Sequence, residues 1–289
     1  MESNSKPVAL LVLMATIFGL AFGSVTYGGA GDSTDQLSFW LYMPKSEYMT
    51  CESTWLYMFV SNDGEDPACL PISSYSSEEA LHYAIDMSLT RDGSIPMHPQ
   101  LNVSWMGRLE EPCYQLSPAD TIVFVLELSG KYGLCQVNGE YPACLPPGEY
   151  LVDAQLLDSV SAASLNFSVV PLDAVGYIIA KEYMNVIKSK GDNAEDCLAL
   201  ESLFIGHPDH VLASRLCNSL LLMYMEDGDA ERGTALARQI LSKYVASGDV
   251  RLALIQLLRS PQADSQEILR RHTDSDVPVG LMLRELMRE

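Results

Sequence analysis

The first half of the chain alternates apolar and polar residues over short segments, whereas the second half repeats apolar residues at helical spacing. The alternation is clearest from Tyr83 to Leu89, where every second residue is apolar. A period of two is that of a strand with one buried face. Further strands are predicted at residues 37–43, 55–60, 121–128, 150–156 and 165–169. Short strands separated by turn residues predict an antiparallel β-sandwich over residues 36–171.

After Pro171 the apolar period becomes that of a helix. Asp173 is placed to cap a helix that begins at Ala174, because Asp favours the N-cap position. Gly-Asp pairs at residues 191–192, 228–229 and 248–249 divide the segments that follow. Helices are predicted at residues 174–189, 194–204, 209–225, 231–246, 250–259, 266–271 and 279–288. The sequence therefore predicts an α-helical domain over residues 172–289, and a multidomain β + α protein.

The segment before the first predicted strand carries no charged side chain between Lys6 and Asp32. Residues 8–22 are apolar apart from Thr16 and Gly19. This pattern is typical of a secretory signal peptide or a single membrane anchor, here residues 1–23, followed by a flexible tether over residues 24–35. We expect a secreted, periplasmic or outward-facing protein.

Two fates of this N-terminal segment stay open. Small residues at Ala21 and Gly23 favour signal cleavage before Ser24, and Gly28–Ala30 offers a second cleavage site. Without cleavage, Val8–Tyr27 is long enough to cross a bilayer as a helix. Contact with a membrane is expected only through this segment.

The net charge of −20 is concentrated in the predicted sandwich. Residues 32–172 carry 19 Asp and Glu against 4 Lys and Arg, a net charge of −15, whereas residues 173–289 carry 18 against 13. So acidic a surface repels nucleic acid and anionic lipid, which excludes nucleic-acid binding. It is compatible with cationic partners or divalent ions, and it also keeps an exported protein soluble.

Seven cysteines behind an export signal favour disulfides, and the absence of a Cys-x-x-Cys motif argues against a metal site. Cys197 and Cys217 each lie ten residues from His207, in the predicted turn between two helices. Equal distances from a hairpin turn place two residues at the same height on antiparallel helices. We therefore predict a disulfide between Cys197 and Cys217.

The other five cysteines lie in the predicted sandwich. Cys135 and Cys144 flank a Val-Asn-Gly turn, so they are predicted to face each other. Pro-Ala-Cys-Leu-Pro surrounds both Cys69 and Cys144, and by analogy Cys51 is paired with Cys69, which leaves Cys113 unpaired. Other pairings stay open, including Cys69 with Cys144, and so does the alternative of buried thiols.

One passage of the predicted sandwich resembles a known family. Leu-Ser-Pro at residues 116–118, a strand and Tyr132 precede Leu145–Val152, which contains a Pro-Gly turn. The passage is similar to the closing hairpin of immunoglobulin-like sandwiches in exported bacterial proteins, including the proteinase-inhibitor-like family. This resemblance implies an immunoglobulin-like fold but no particular activity.

A second resemblance lies in the helical half. The run Leu222–Arg232 resembles the core of a tetratricopeptide repeat, and a copy offset by 37 residues aligns residues 191–192 with residues 228–229. This degenerate resemblance implies a short stack of helical hairpins. Both families are binding architectures, which favours an interaction with another macromolecule over catalysis.

The sequence lacks the common catalytic motifs: there is no G-x-S-x-G, H-E-x-x-H, phosphate loop or G-x-G-x-x-G. Two short clusters have side chains that bind metals. His207 and His210 lie three residues apart, but a helix start with Pro and Asp is the simpler interpretation. Asn62–Asp66 offers oxygen ligands for calcium, but a polar hairpin turn is again simpler. No cofactor is predicted.

These observations predict a non-enzymatic interaction protein of the cell envelope that binds a protein partner. A hairpin stack leaves one curved face open, formed by the first helix of each hairpin. The residues expected on that face are Tyr177, Lys181, Arg215 and Asn218. Two alternatives stay open: an inhibitor or regulator of an exported protease, acting through sandwich loops near Cys69 or Cys144, and an enzyme of unrecognised class.

Overall fold

The computed structural model describes residues 36–70, 72, 84–98, 114–131, 144–157, 161–188, 193–246, 248–260, 263–273, 280 and 283. The predicted leader and tether, residues 1–35, lie outside this part of the chain. So do Cys113, Cys135 and nearly all of the helix predicted at residues 279–288. Among the described residues, no helix has the length and apolar character needed to cross a bilayer.

The described residues contain nine strands: β1 (Leu37–Tyr42), β2 (Glu47–Met49), β3 (Trp55–Asn62), β4 (Ala68–Leu70), β5 (Ile85–Arg91), β6 (Tyr114–Leu116), β7 (Thr121–Glu127), β8 (Gly148–Leu156) and β9 (Ala162–Val170). The first sheet is antiparallel and has the order β1-β3-β7. The second sheet has the order β2-β9-β8-β5, in which the short β2 runs parallel to β9. A two-stranded ribbon joins β4 to β6.

The two main sheets face each other across one hydrophobic core. Ile85 and Met87 of β5 point into this core, whereas Asp86 between them is exposed, as the alternation predicts. Tyr150 of β8 stacks on Phe167 of β9 inside the same core, with ring centroids 5.0 Å apart. The predicted β-rich N-terminal half is therefore confirmed.

The first sheet is covered on both faces. In β3, Leu56 and Met58 belong to the core between the sheets, whereas Tyr57 and Phe59 point the other way, toward the helices. Because both faces are covered, β3 is buried along nearly its whole length and shows no alternation. Trp40 of β1 stacks on Phe59 on the helix side, with ring centroids 5.1 Å apart.

Six helices follow the last strand in the described residues: α1 (Ala174–Lys188), α2 (Asn193–Gly206), α3 (Ala213–Asp227), α4 (Ala230–Lys243), α5 (Val250–Arg259) and α6 (Ala263–Thr273). The predicted β + α class is confirmed, because the described strands are followed along the chain by these helices. α5 has its predicted bounds. α3 begins at Ala213 rather than at the predicted Asp209, because residues 207–212 form turns. Each helix packs against the next one along the chain.

Three helices begin after an aspartate whose side chain accepts a hydrogen bond from the third helical amide: Asp173 for α1, Asp229 for α4 and Asp249 for α5. Gly228 ends α3 at a φ of 72°, in the left-handed region that glycine adopts without strain. The predicted cap at Asp173 and the predicted breaks at residues 228–229 and 248–249 are confirmed, whereas residues 191–192 lie outside the described part.

The helices and the first sheet share a second hydrophobic core, here called the junction. Tyr57, Phe59 and Val123 of the sheet lie in one cluster with Ile179 of α1 and Leu216 of α3. None of these five side chains is more than 4% exposed. The protein is thus built of three layers, two sheets and a layer of helices, although the sequence pattern changes abruptly at Pro171.

Asp249 lies at the junction, where its backbone N–H donates to Asn218 Oδ1 at 2.9 Å. Burial raises the pKa of the Asp249 carboxyl above its ordinary value, and the negative charge of Glu127 acts in the same direction. A raised pKa means that the folded state disfavours the charged form, so ionised Asp249 lowers stability at neutral pH.

We expect Asp249→Asn to raise the melting temperature at pH 7 by about 2–4 °C, the shift that about 1 kcal/mol produces in a protein of this size. The amide oxygen keeps the helix cap but carries no charge. The gain should shrink as the pH falls toward 4, because the folded wild type then takes up the proton before the unfolded chain does. Thermal unfolding at both pH values tests this, with Glu226→Gln on the exposed side of α3 as control. A gain of equal size at both pH values would count against it.

Candidate functional site

The two ends of the paired sheets differ in what is attached to them. At one end, here called the entry end, Ser161 Oγ donates to the carbonyl oxygen of Leu37 at 2.8 Å, so the first strand starts there. From this end β9 runs from Ala162 to Val170, a length of about 27 Å at the usual rise per residue. α1 begins at Ala174, beyond the opposite end of β9, which we call the helix end.

Large apolar side chains are exposed on α1 and α2. Val175 and Ile178 of α1 lie one turn apart and are 42% and 50% exposed. Leu198 and Ile205 of α2 lie two turns apart and are 63% and 74% exposed. We call these four residues the hairpin surface. The other faces of both helices are packed in the junction. Each helix therefore has apolar side chains on a second, exposed face as well. An exposed apolar face of this kind is typical of a contact site.

Two of the four residues predicted to bind a partner lie near the hairpin surface. Tyr177 and Lys181 are both exposed on α1, and Tyr177 is 49% exposed. Lys181 follows Ile178 by one turn, so a charged group borders the apolar residues. Both side chains face solvent, and their contact with a partner stays a prediction.

The other two predicted residues are occupied inside the molecule. Arg215 Nη1 donates to the carbonyl oxygen of Cys51 at 2.9 Å, and its guanidinium lies 5.6 Å from the centre of the Tyr183 ring. Asn218 accepts the hydrogen bond from Asp249 described above. The predicted open face at Arg215 and Asn218 is therefore wrong, because the segment at Cys51 and the start of α5 engage these side chains.

Cys51 and Cys144 form a disulfide that lies in the junction, and both residues are 4% exposed. Cys69 is also disulfide-bonded, and its partner lies outside the described residues. The predicted pairs Cys51–Cys69 and Cys135–Cys144 are therefore wrong. The first was inferred by analogy from the repeated Pro-Ala-Cys-Leu-Pro context and the second from a local turn, whereas the observed bond joins residues 93 positions apart that the fold brings together.

Cys197 and Cys217 are buried thiols and not the predicted disulfide. The prediction assumed a turn centred on His207, but α2 ends at Gly206 and α3 begins only at Ala213. Measured along the helix axes from the turn, Cys197 therefore lies about 14 Å from the end of α2, whereas Cys217 lies only about 6 Å from the start of α3. The two side chains are at different heights. Burial raises the pKa of Cys217 to about 12 and raises the pKa of Cys197, so both thiols stay protonated at neutral pH.

A group of ionisable side chains joins α2, α3 and α4. Glu201 Oε1 accepts hydrogen bonds from the Tyr224 hydroxyl and from Arg232 Nη1, the latter at 2.8 Å. The Cys197 thiol lies 3.9 Å from the same oxygen. Burial raises the pKa of Tyr224 as well as that of Cys197, so neither is activated as a base or nucleophile. The group cross-links three helices.

Of the two histidines considered for metal binding, His210 serves the start of α1 instead. His210 Nδ1 accepts a hydrogen bond from the Leu212 N–H at 3.2 Å. Its Nε2 therefore carries the proton in the neutral ring, and it lies 3.3 Å from Asp173 Oδ1. The Gly176 N–H and His210 both stabilise the carboxylate, which lowers the pKa of Asp173. Among the described residues, no three His, Cys, Asp or Glu side chains are arranged to hold a metal ion.

The oxygen-rich turn considered for calcium is closed by its own hydrogen bonds. Asn62 is fully buried, and its Nδ2 donates to the carbonyl oxygens of Asp66 and Leu116, each at 2.8 Å. Its Oδ1 accepts from the Gly64 N–H at 3.0 Å. The Asp63 carboxylate accepts hydrogen bonds from serine hydroxyls of β1 and β3. The turn thus ties β3 to β6. It is a polar turn, as predicted, but not a hairpin turn, because β3 pairs with β1 and β7 whereas β4 pairs with β6.

A small apolar crevice lies at the junction beside the disulfide, lined by Cys51, Cys144, Tyr183 and Arg215 among others. Its volume is about 10 Å³, which leaves room for no more than one water molecule. The junction is therefore packed, and small-molecule sites are much larger.

No protein-family model matches the sequence, and a comparison with curated proteins finds no match either. The CARDB domain of the PF1109 protein from Pyrococcus furiosus, in complex with di-metal ions, is 14% identical over 49% of this chain and 100% of that chain, with a TM-score of 0.27. A β-glucosidase from Listeria innocua in complex with isofagomine is 14% identical over 48% of this chain and 17% of that chain, with a TM-score of 0.28. The sporulation control protein Spo0M from Bacillus subtilis is 10% identical over 55% of this chain and 57% of that chain, with a TM-score of 0.24. Likenesses at these TM-scores carry no argument about fold or function.

Proposed function

We propose that this is an exported, non-enzymatic interaction protein of the cell envelope, and that a protein partner docks on the hairpin surface. The observation that carries the proposal is the exposure of Val175, Ile178, Leu198 and Ile205 on two neighbouring helices. Such side chains, bordered by Tyr177 and Lys181, match the apolar centre and polar or aromatic edge of protein interfaces.

The position of the hairpin surface supports the same proposal. The first strand starts at the entry end, whereas α1 starts at the helix end, about 27 Å away along β9. An N-terminal segment that tethers the protein to a membrane would hold the entry end close to that membrane. α1 would then be carried away from it, where another envelope protein can reach the exposed side chains. After signal cleavage, the same surface would serve a free, secreted protein.

The finer architecture belongs to this proposal. We take the paired sheets as an immunoglobulin-like sandwich and the helices as tetratricopeptide-like hairpins, as the sequence resemblances imply. Both architectures present binding surfaces on a rigid frame. The packed junction gives that rigidity here, because the first sheet and the helices are held by one core and by Arg215.

The protease-inhibitor alternative depended on exposed loops beside Cys69 or Cys144. Of these two cysteines, Cys144 is 4% exposed and lies in the junction, whereas Cys69 is exposed on the short strand β4. The enzyme alternative has no specific observation in its favour. Docking through the hairpin surface is the function that the exposed apolar side chains of α1 and α2 support best.

Site-specific photo-crosslinking tests the proposal in the native envelope. A photoreactive amino acid at position 177, beside the hairpin surface, should give a discrete adduct with one partner protein. The same amino acid at position 157 is the control, because Leu157 is 40% exposed and lies at the entry end. An adduct that forms at position 157 but not at position 177 would refute the hairpin surface as the docking site.

A further inference from the structure

The segment that follows β5 forms an exposed loop, residues 92–96, which we call the β5 loop. Every residue of this loop is exposed, and Ile95 is 86% exposed. That is the largest exposed fraction of any large apolar side chain in the described part of the chain. A single exposed apolar residue is common on protein surfaces. What distinguishes Ile95 is the backbone that presents it.

A tight turn reverses the chain at the tip of the β5 loop. Asp92 has a φ of 50° and Gly93 has a φ of 68°. The Ser94 N–H donates to the carbonyl oxygen of Arg91 at 2.8 Å. Two consecutive left-handed residues closed by such a hydrogen bond form a type I′ turn, for which Asp-Gly is a favoured sequence. The chain therefore runs back alongside β5 from Ser94.

The returning chain carries one residue more than the part of β5 beside it. Leu89 and Met97 exchange both backbone hydrogen bonds, at 2.8 and 2.9 Å. Between this pair and the turn, Ile95 and Pro96 lie opposite the single residue Thr90. An extra residue of this kind is a β-bulge, where proline is tolerated because it has no N–H to donate. The bulge re-aims the Ile95 side chain into solvent.

The base of the β5 loop is fixed to the start of β8. The Asp92 N–H donates to the carbonyl oxygen of Glu149 at 2.7 Å, and the Glu149 N–H donates to Asp92 Oδ1 at 2.8 Å. Arg91 Nη2 donates to the carbonyl oxygen of Pro147 at 2.6 Å. These bonds hold Asp92 in a left-handed conformation that a residue other than glycine rarely adopts. A loop fixed in this way loses little conformational entropy when it binds.

We propose that Ile95 of the β5 loop inserts into an apolar pocket on a partner protein. An aliphatic side chain on a preorganised loop has apolar area to bury and little entropy to lose, which are the two requirements for a strong contact. The exposed residues Asp92 and Ser94 supply a polar rim beside it. A lipid bilayer fits less well, because stable membrane binding takes a much larger apolar surface than one isoleucine.

The β5 loop lies at the helix end of the sheets. Arg91 pairs with Tyr150 of β8, and the nearby Gly148 pairs with Val169 close to the end of β9. α1 begins beyond the same end. A protein that approaches the helix end can therefore reach the loop. The contact at Ile95 does not depend on docking at the hairpin surface, because the two lie on different elements.

Photo-crosslinking from position 94 tests this inference. The probe is the purified full chain with a photoreactive amino acid in place of Ser94, added to a membrane-containing lysate of the cells that produce the protein. It should form an adduct with one partner protein. We expect Ile95→Ser to lower the yield of this adduct by about tenfold or more, because serine cannot replace the apolar contact. Ile95→Val keeps most of that contact and should lower the yield less than about threefold.

Two controls show whether the contact is specific to the β5 loop. Leu157→Ser makes the same kind of change at an exposed residue of the entry end and should leave the yield within about twofold. A cyclic peptide of residues 89–97, added in excess, should suppress the adduct, whereas the same peptide with serine at position 95 should not.

Four crosslinking results overturn the proposal: no adduct from position 94, an undiminished yield in Ile95→Ser, an equal loss in Leu157→Ser, or equal suppression by both peptides. Sedimentation of the full chain with phosphatidylcholine vesicles gives a fifth test. Vesicle binding that Ile95→Ser abolishes would overturn the proposal in favour of a membrane contact.

Discussion

Replacing Cys51 and Cys144 together by alanine is expected to lower the free energy of unfolding by about 4–5 kcal/mol. The disulfide closes a loop of 93 residues, and loss of so long a cross-link frees the unfolded chain by that amount in the chain-entropy account. Its effect should extend to the helices, because both cysteines pack in the junction with Ile179 and Leu216. Denaturant unfolding followed by circular dichroism measures the change.

The control for this disulfide variant is Cys197→Ala/Cys217→Ala, which also removes two buried sulfur atoms but no cross-link. Its cost should be that of small cavities, about 1 kcal/mol per site. A cost for Cys51→Ala/Cys144→Ala no larger than that of the control would contradict the pairing. Peptide mapping without reduction would then show which cysteines are joined.

The second large effect is expected for Phe59→Ala, at about 3–5 kcal/mol. Phe59 is 2% exposed, stacks on Trp40 and lies on the helix side of the first sheet. Its loss leaves a cavity in the junction that neither the sheet nor the helices can fill alone. Phe124→Ala is the matched control, because Phe124 is fully buried on the other side of the same sheet.

Both phenylalanine variants should keep a single unfolding transition, shifted by a similar amount. A shared core makes the sheets and the helices unfold together, so a cavity on either side of the first sheet destabilises the whole protein. Scanning calorimetry distinguishes the outcomes. Two separate transitions for Phe59→Ala, with the sheets unaffected, would mean that the helices form an independent unit.

The elements with one solvent-facing side were predictable from the sequence. β5 alternates between buried and more exposed residues because water covers its outer face. The apolar period of two in the sequence therefore predicted this strand. The aspartate caps of α1, α4 and α5 are local signals, and the breaks before α4 and α5 follow from them. Such features depend on neighbours in sequence, so a pattern reveals them. By contrast β2, β4 and β6 have three residues each, too few for any period.

The junction was not predicted, although one signal for it was present. The run Trp55–Val60 is apolar at every position, which is the pattern of a strand buried on both faces. A sandwich covers only one of those faces, so a further layer had to exist, and the helices are the part of the chain that forms it. The Cys51–Cys144 disulfide and the hydrogen bond from Arg215 to the Cys51 carbonyl oxygen both follow from this packing. Spacing along the chain carries no information on such long-range contacts.

The central claim, that a protein partner docks on the hairpin surface, is tested most directly by the adduct formed from position 177. Val175→Ser/Ile178→Ser removes two exposed apolar side chains, and burial of such side chains contributes about 1.5–3 kcal/mol each to an interface. We predict that the yield of the adduct falls at least tenfold in this variant, while Leu157→Ser at the entry end leaves it within twofold. An adduct of undiminished yield in Val175→Ser/Ile178→Ser, with the variant folded, would contradict the account.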